Sequence, residues 1–463
     1  MSDSSAPSSN AIVIGAGVSG LLAAHVLADV ADVTLIERDT LPNGPHPRRG
    51  IPQARHAHML WSGGVKALEE LLPGIVDDLT GQGARLVPIM TGLVSKAPSG
   101  QWFRRFNGSH HHNLVCSRDL LDSAIRERVL PHPRIALRKD TAVDELTGTA
   151  DRVDGVRIRH HATEAVLKAD LVVDATGRGS HAPVWLQTLG LLPVAERVVD
   201  AGVTYATRIY RTPDGAADFP LVNVQASPAQ APGRGGIILP IEKGRWLVTL
   251  AGTRGGEPTT SDEDFVAFAR GLDHPIIGDL IAKAEPLGEV TTSRSTANRR
   301  RYYEKARHWP EGFAAIGDSV AGYNPVYGHG LTVATQTAVA LRATIHRHPI
   351  TTPGTARRIQ RAAAGPVHTA WSLAVGQDIF YPGASDTPPT AFERALAKFI
   401  DRAVDTGSRN PRALRALLDV MSMERPPTRL FAPDMLLTMA VGRKLPHLAD
   451  PPLSPAEQAF IDR

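Results

Sequence analysis

The sequence predicts an α/β fold, with a Rossmann-like parallel-sheet domain, an inserted β-sheet domain and a C-terminal helical region. Three observations predict it. An apolar run, a glycine-rich turn and a helical stretch succeed one another over residues 11–27. The segment from about residue 181 to 306 is dominated by β-rich runs. From about residue 349 the pattern is helical, broken by proline-rich stretches.

The elements follow in order. Residues 11–14 (AIVI) are apolar and short, as a buried parallel strand requires. The turn GAGVSG comes next. Gly15 permits a tight turn, Gly17 lets the backbone approach a pyrophosphate, and Gly20 lets helix and strand pack closely. Leu21, Leu22, Ala24, Val26 and Leu27 continue at helical spacing. A second apolar run, 33–36, ends at Glu37, 17 residues after Gly20. A carboxylate there accepts hydrogen bonds from a ribose hydroxyl, and Arg38 beside it is a further candidate contact. The setting of strand, helix, second strand and acid makes this a dinucleotide fingerprint rather than a chance glycine turn.

Residues 48–58 (RRGIPQARHAH) form a basic loop running into a helix over 59–72. Arg48, Arg49, Gln53 and Arg55 are candidates for contact with cofactor phosphates. His56 and His58 have no carboxylate or third histidine at ligand spacing, and His110, His111 and His112 read as a polar turn, so no metal site is expected. Segments 85–94 and 101–106 read as a strand pair, and 113–116 as a short strand. Ser117 can cap a helix reaching 129, with Asp119 and Asp122 in its first turns. Runs 135–137, 143–146, 153–159 and 165–173 read as a small antiparallel sheet. Further on, 203–210, 236–240 and 246–252 are strands, the last two joined by the turn IEKGRW, and 262–272 and 276–284 are short helices.

Composition sets bounds. Of 463 residues, 42% are hydrophobic and 21% charged, as in ordinary globular proteins. A net charge of +4 is small for this length and implies no nucleic-acid partner. The single Cys116 excludes an intramolecular disulfide framework and reads as a buried bystander. The start MSDSSAPSSN lacks the features of a signal peptide, and no apolar run reaches the ~18 residues of a membrane span, so a cytoplasmic location is expected.

Three later motifs name the cofactor. In SRDLLDSAI, Arg118 begins a helix, within reach of a pyrophosphate or ribityl oxygen. ADLVVDATGRGS, residues 169–180, is a strand ending in a small-residue turn that suits close backbone approach. GDSVAGYNPVYGHGL, residues 317–331, is the most specific. After Gly317, Asp318 can bind a sugar-alcohol chain, and Pro325 stiffens the loop. Gly328 and Gly330, with Leu331 following, leave N–H groups open at a helix start, where they stabilise a reduced flavin's negative charge. The cofactor expected is therefore FAD.

These motifs, in this order, resemble the class A flavin monooxygenases of the para-hydroxybenzoate hydroxylase fold, over about the first three-quarters of the chain. The resemblance implies a glutathione-reductase-type FAD-binding domain over 1–83, 113–181 and 307–345, a substrate-binding sheet domain over 84–112 and 182–306, and a helical region over 346–463. It implies that Gly15, Gly17, Gly20, Glu37, Arg118 and Asp318 hold FAD and that 325–331 lies beside the flavin ring. Two positions depart from the pattern: Ala321 replaces a histidine after the GD pair, and Thr176 replaces the aspartate of a motif that serves FAD and NAD(P)H. Four stretches, RRGIPQARHAHMLWSGG, GRWLVTLAGTRGGEP, STANRRRYYEK and the GD motif, are similar to flavin-dependent epoxidases of polyether ionophore biosynthesis, of the lasalocid and monensin epoxidase type. That similarity implies epoxidation of a linear polyene polyketide through a C4a-hydroperoxyflavin. Dioxygen would be co-substrate and NAD(P)H the electron source, directly or through a separate flavin reductase. A neutral alkene requires no base, so no catalytic side chain is assigned. Two expectations accompany this: a large apolar cavity floored by 203–210 and 236–250, and a solvated strand end at Arg299, Arg300 and Arg301. The alternatives are an aromatic or polyketide hydroxylase on the same fold and, less favoured, a non-catalytic flavin-binding partner. A halogenase lacks support, since none of the six tryptophans forms a Trp-x-Trp pair.

Overall fold

The structure, a computed structural model, describes residues 9–462. The first eight residues of the segment read as lacking a signal peptide lie outside the described range. Five parallel strands make the central sheet, in the order Phe313–Ala315, Leu171–Asp174, Asn10–Ile14, Asp32–Ile36, Ile135–Arg138. The strand Asn10–Ile14 is buried from Ala11 onward because both its neighbours and both sheet faces cover it. The helix Val18–Leu27 is apolar on almost every side, and Leu21, Leu22 and Leu27 are fully buried. Each such leucine contributes roughly 1.5–3 kcal/mol of burial. This helix packs between the sheet, the helix Arg118–Val129 and the long helix Gly330–Arg347.

Two expectations about this region are corrected. Residues 135–137 do not join an antiparallel sheet; Ile135–Arg138 is the fifth parallel strand, paired with Asp32–Ile36. The run 165–173 is two elements. Thr163–Lys168 completes an antiparallel three-stranded sheet with Thr141–Gly148 and Val153–His160, and after the break at Ala169 and Asp170, Leu171–Asp174 enters the central sheet. Alternation marked the first half as surface sheet, whereas the fully buried second half has no alternation to read.

A second, six-stranded sheet is ordered Thr291–Ser293, Thr204–Arg211, Arg245–Gly252, Arg234–Ile241, Leu221–Val224, Leu93–Lys96. Its outer face buries Trp246, Tyr210, Val248 and Ile238 under the helices Phe265–Arg270 and Ile276–Ile281. The expected pair 85–94 and 101–106 is absent. Arg85–Pro88 instead pairs with His112–Val115, Leu93–Lys96 joins the six-stranded sheet, and 101–106 meets it through a bridge from Trp102 to Lys96 and through the Trp102 ring buried in that sheet's core. Met59–Leu60, expected to begin a helix, is a short strand, and the helix is Ser62–Leu71. The C-terminal helix Thr355–Asp378 packs against both sheets, Pro411–Met421 packs beside Leu93, and Ala391–Arg409 packs against Pro411–Met421. Among the described residues, no helix is long and apolar enough to cross a membrane.

The helix Arg118–Val129 begins as its sequence dictates. Ser117 is extended, and its hydroxyl accepts the Leu120 N–H at 3.2 Å, satisfying one donor left free at the helix start. Ser117→Ala is expected to lower unfolding free energy by about 1 kcal/mol, and Ser117→Asp to retain most of it. Denaturant unfolding of the three proteins checks this; an alanine variant as stable as the parent contradicts it.

Candidate functional site

The two glycine turns meet at one point. Gly15 has φ +96°, and a Cβ there would lie 2.8 Å from the Ala175 carbonyl oxygen. A Cβ on Gly20 would lie 1.8 Å from the Gly15 oxygen. The third glycine differs, since a Cβ on Gly17 would meet nothing within 4 Å. Two of the three glycines are thus required by packing, and Gly17 opens onto free space at the N-terminus of the helix.

Glu37 closes one side of that space. Its Oε2 accepts the Ala16 N–H at 2.8 Å and an Arg48 Nη2 hydrogen at 2.8 Å, while Oε1 accepts the Asp39 N–H at 3.0 Å. Arg48 also donates to the Ala16 oxygen at 2.7 Å and reaches Asp122 at 3.4 Å. Asp122 in turn accepts Arg118 Nε at 2.7 Å. Buried charges therefore alternate along Glu37, Arg48, Asp122 and Arg118. Arg48 is the buried arginine of the basic loop, while Arg49, Gln53 and Arg55 are exposed. Arg38 is exposed as well, next to Asp39.

Asp318 lies opposite. Burial raises its carboxyl pKa, against the pull of Arg178 and Arg118. Its turn is stitched to the turn at residues 175–180: the Gly177 N–H donates to Ser319 Oγ at 2.9 Å, and Thr176 and Ser180 both donate to buried Asp174. Gly317, at φ +59°, sits against Ser19 of the first helix. The arginine run does not end in solvent as expected. Arg300 and Arg301 are buried, Arg300 on Glu304 at 2.7 Å and Arg301 on the Ser319 oxygen at 2.9 Å; only Arg299 is exposed. The strand Asn298–Arg301 pairs with Ala321–Gly322, which draws the run inward.

The loop 323–330 faces the six-stranded sheet. Asn324 caps its single turn Pro325–Tyr327, and Gly328 (φ +68°) brings the backbone against Met59 and Trp61, both 3.3 Å from a built Cβ. Trp61 Nε1 donates to the Tyr327 oxygen at 3.1 Å, and the Trp61 ring stacks on His329 at 5.7 Å. A Cβ on Gly330 would meet nothing within 4 Å. Leu331 is buried in the helix that follows. On the sheet, His56 Nδ1 lies 2.8 Å from Thr207 Oγ1, which lies 2.7 Å from Thr249 Oγ1. Ile237 pairs with Thr249 on the next strand; half-buried Met59 and Leu93 pack in the same apolar cluster as Ile237, and half-buried Trp61 and Phe103 pack in a second cluster that shares Leu93. The expected floor strands are present, but their inward face carries threonines as well as aliphatic groups.

Sequence reasoning missed Arg48 as the buried arginine, Met59 and Trp61 beside Gly328, and Asn324 before Pro325. The NP pair inside the glycine motif was the available signal for the last. It also missed that His110 and His111 come together with Glu424, whose sequence separation hides the contact. That carboxylate is already engaged by Lys66 at 2.6 Å and Ser62 at 2.5 Å.

Three histidines around the site are held neutral. Burial pushes His56, His58 and His329 down to about 4. A histidine with a folded pKa below its unfolded value binds a proton on unfolding between the two. The stability gained by keeping His329 neutral is thus complete above about 6.5 and lost as pH falls toward 4. The stability deficit of His329→Gln should be largest above pH ~6.5 and shrink toward pH ~4, by up to about 1.4 kcal/mol per pH unit. Unfolding free energies of both proteins across that range check it; a constant deficit contradicts it.

Comparisons with known proteins agree with this geometry. Residues 8–351 match the FAD binding domain family. "Protein Rv3254" of Mycobacterium tuberculosis (strain ATCC 25618 / H37Rv) is 31% identical over 420 residues, covering 88% of this chain and 87% of that protein. The fold is similar to that of the flavin-dependent brominase Bmp2, with a TM-score of 0.65 and 15% identity over 89% of this chain and 92% of that one. It is also similar to p-nitrophenol 4-monooxygenase PnpA from Pseudomonas putida DLL-E4, with a TM-score of 0.61 and 16% identity over 89% of this chain and 98% of that one. The chain belongs to the FAD-binding domain family and has the mixed α/β fold of the flavin-dependent monooxygenases and halogenases of the para-hydroxybenzoate hydroxylase class.

Proposed function

We propose that the protein is an FAD-dependent monooxygenase that epoxidises alkenes of a long apolar substrate, of the linear polyene polyketide class met in polyether biosynthesis. Dioxygen is the second substrate, and NAD(P)H supplies electrons, directly or through a separate flavin reductase.

The residues fit the cofactor. Free space at Gly17, at the positive end of the first helix, suits a pyrophosphate. Glu37 suits the adenosine ribose, once a hydroxyl shares it with Arg48. Arg118 stands at the same opening, and Asp318 has no hydrogen bond among the described residues, leaving its carboxylate for a ribityl chain. Gly328, Gly330 and Leu331, after Pro325, would offer backbone to a flavin ring. Arg49 and Arg38 are exposed and would draw a phosphate by long-range attraction. Bound FAD supplies the redox chemistry that activates dioxygen. The chain must then hold the alkene over the ring and keep water out.

The alkene reading rests on the substrate-side chemistry. Ile237, Leu93, Met59, Trp61 and Phe103 offer apolar contact. The nearby polar groups are committed or neutral: the Tyr205 hydroxyl donates to Asn324, Tyr327 to Asp378, and His56 is uncharged at neutral pH. No cationic or anionic side chain among these is placed to bind or deprotonate a phenol. The Thr207–Thr249–His56 line is the observation that favours the second reading, an aromatic or polyketide hydroxylase, because it can bind a substrate hydroxyl. Turnover under oxygen-18 gas with a linear polyene and with a phenol decides between them. Labelled epoxide from the polyene supports the first reading; labelled catechol alone overturns it.

Two glycines separate packing from binding. Gly17→Ala should fold with unchanged stability and bind FAD about tenfold more weakly, the cost of losing one strong charge-assisted contact. Gly20→Ala should instead lose about 1–3 kcal/mol of stability from overpacking. Flavin fluorescence titration and thermal unfolding of both variants test this; equal FAD affinity in Gly17→Ala and the parent would contradict the assignment. Replacing His56 should cost no more than about 10²-fold in oxygen transfer when FAD occupancy is full. A loss of about 10⁴-fold would make it an acid or base and remove the basis for a base-free mechanism.

A further inference from the structure

We propose that Asp378 is a positioning residue for the flavin-side loop, and that its carboxylate fixes the orientation of two asparagines which in turn set the loop's backbone. The inference rests on the FAD reading of residues 323–330. Asp378 ends the helix Thr355–Asp378 and lies beyond the residues matched by the family, 8–351.

Three donors converge on this buried group. Its Oδ1 accepts the Tyr327 hydroxyl at 2.6 Å. Its Oδ2 accepts Asn298 Nδ2 at 2.7 Å and Asn324 Nδ2 at 2.9 Å. An ionised carboxylate only accepts, so both asparagines must turn their amide nitrogens toward it. Their oxygens are then aimed outward. Asn298 Oδ1 accepts the Asn324 N–H at 2.8 Å. Asn324 Oδ1 accepts the Tyr205 hydroxyl at 2.8 Å and the Val326 N–H at 3.3 Å. One carboxylate from the C-terminal region thereby clamps both sides of Pro325, through Asn324 before it and Tyr327 after it. Through Tyr205 it also ties the loop to the six-stranded sheet.

The arrangement has a direction that an amide cannot reproduce. The change Asp378→Asn would bring two N–H donors and one acceptor to a place where three donors already point. At least one donor would lose its partner in a buried site, or an asparagine would flip and turn its nitrogen toward the Tyr205 hydroxyl and the Val326 N–H. Either result releases the loop that ends at Gly328 and Gly330.

The test uses the full-length protein and its FAD affinity and bound-flavin absorption spectrum, for the parent, Asp378→Asn, Tyr327→Phe and the double variant. Each single change should weaken FAD binding, Asp378→Asn by about tenfold or more, and alter the resolved shape of the visible band. Because both act on one network, the double variant should be within about twofold of Asp378→Asn alone. If Asp378→Asn does not fold, as judged by circular dichroism, Tyr327→Phe carries the test by itself. A lower melting temperature with parental FAD affinity and spectrum would show a merely structural role and overturn the proposal. Effects of the two changes that multiply in full would also overturn it. A parent protein that takes up no FAD would instead overturn the reading of the site on which the proposal stands.

Discussion

Two backbone turns pass so close at Gly15 that no side chain fits between them. The Ala175 carbonyl would lie 2.8 Å from any Cβ placed there, and the Gly15 oxygen leaves still less room at Gly20. This contact locks the first strand, the first helix and the strand Leu171–Asp174 into one unit. The turn after Asp174 is thereby fixed, and through the Gly177–Ser319 hydrogen bond so is the turn that carries Asp318. Residues separated by about 300 positions in sequence thus come together because two glycines permit one close approach.

Charge is handled differently around the first glycine turn and around loop 323–330. Around the glycine turn, acids and arginines alternate, and each is neutralised by the next. Such chains contribute little net stability, because desolvation offsets the Coulomb gain. They do fix geometry, and Glu37 and Arg48 together grip both backbone groups of Ala16 within the glycine turn. Around loop 323–330 the histidines are neutral and the tyrosine hydroxyls are already hydrogen-bonded. A site of that kind suits chemistry carried by the cofactor, with the protein providing shape and dryness.

Much of this was legible in the sequence, for physical reasons that also mark the limits. Gly15, Gly17 and Gly20, the Ser117 cap and the turn after Ile241 are local: a few adjacent residues determine the backbone, and the structure follows them. Failures fall where tertiary contacts decide. Ile135–Arg138 has too few residues to distinguish a parallel edge from an antiparallel one. Arg48 and Arg49 are chemically identical neighbours, and only the path of the loop buries the first. The partners of Asn324 come from Asn298, Tyr205 and Asp378, which nothing local connects.

The fold is that of an FAD binding domain, built for a flavin rather than for a nicotinamide dinucleotide alone. The measurement that addresses it most directly is a calorimetric titration of the purified protein, stripped of small molecules, with FAD and separately with NAD. One FAD should bind per chain with a perturbed flavin absorption band, and NAD should bind more weakly by orders of magnitude. Tight, stoichiometric NAD binding with no uptake of FAD would contradict it.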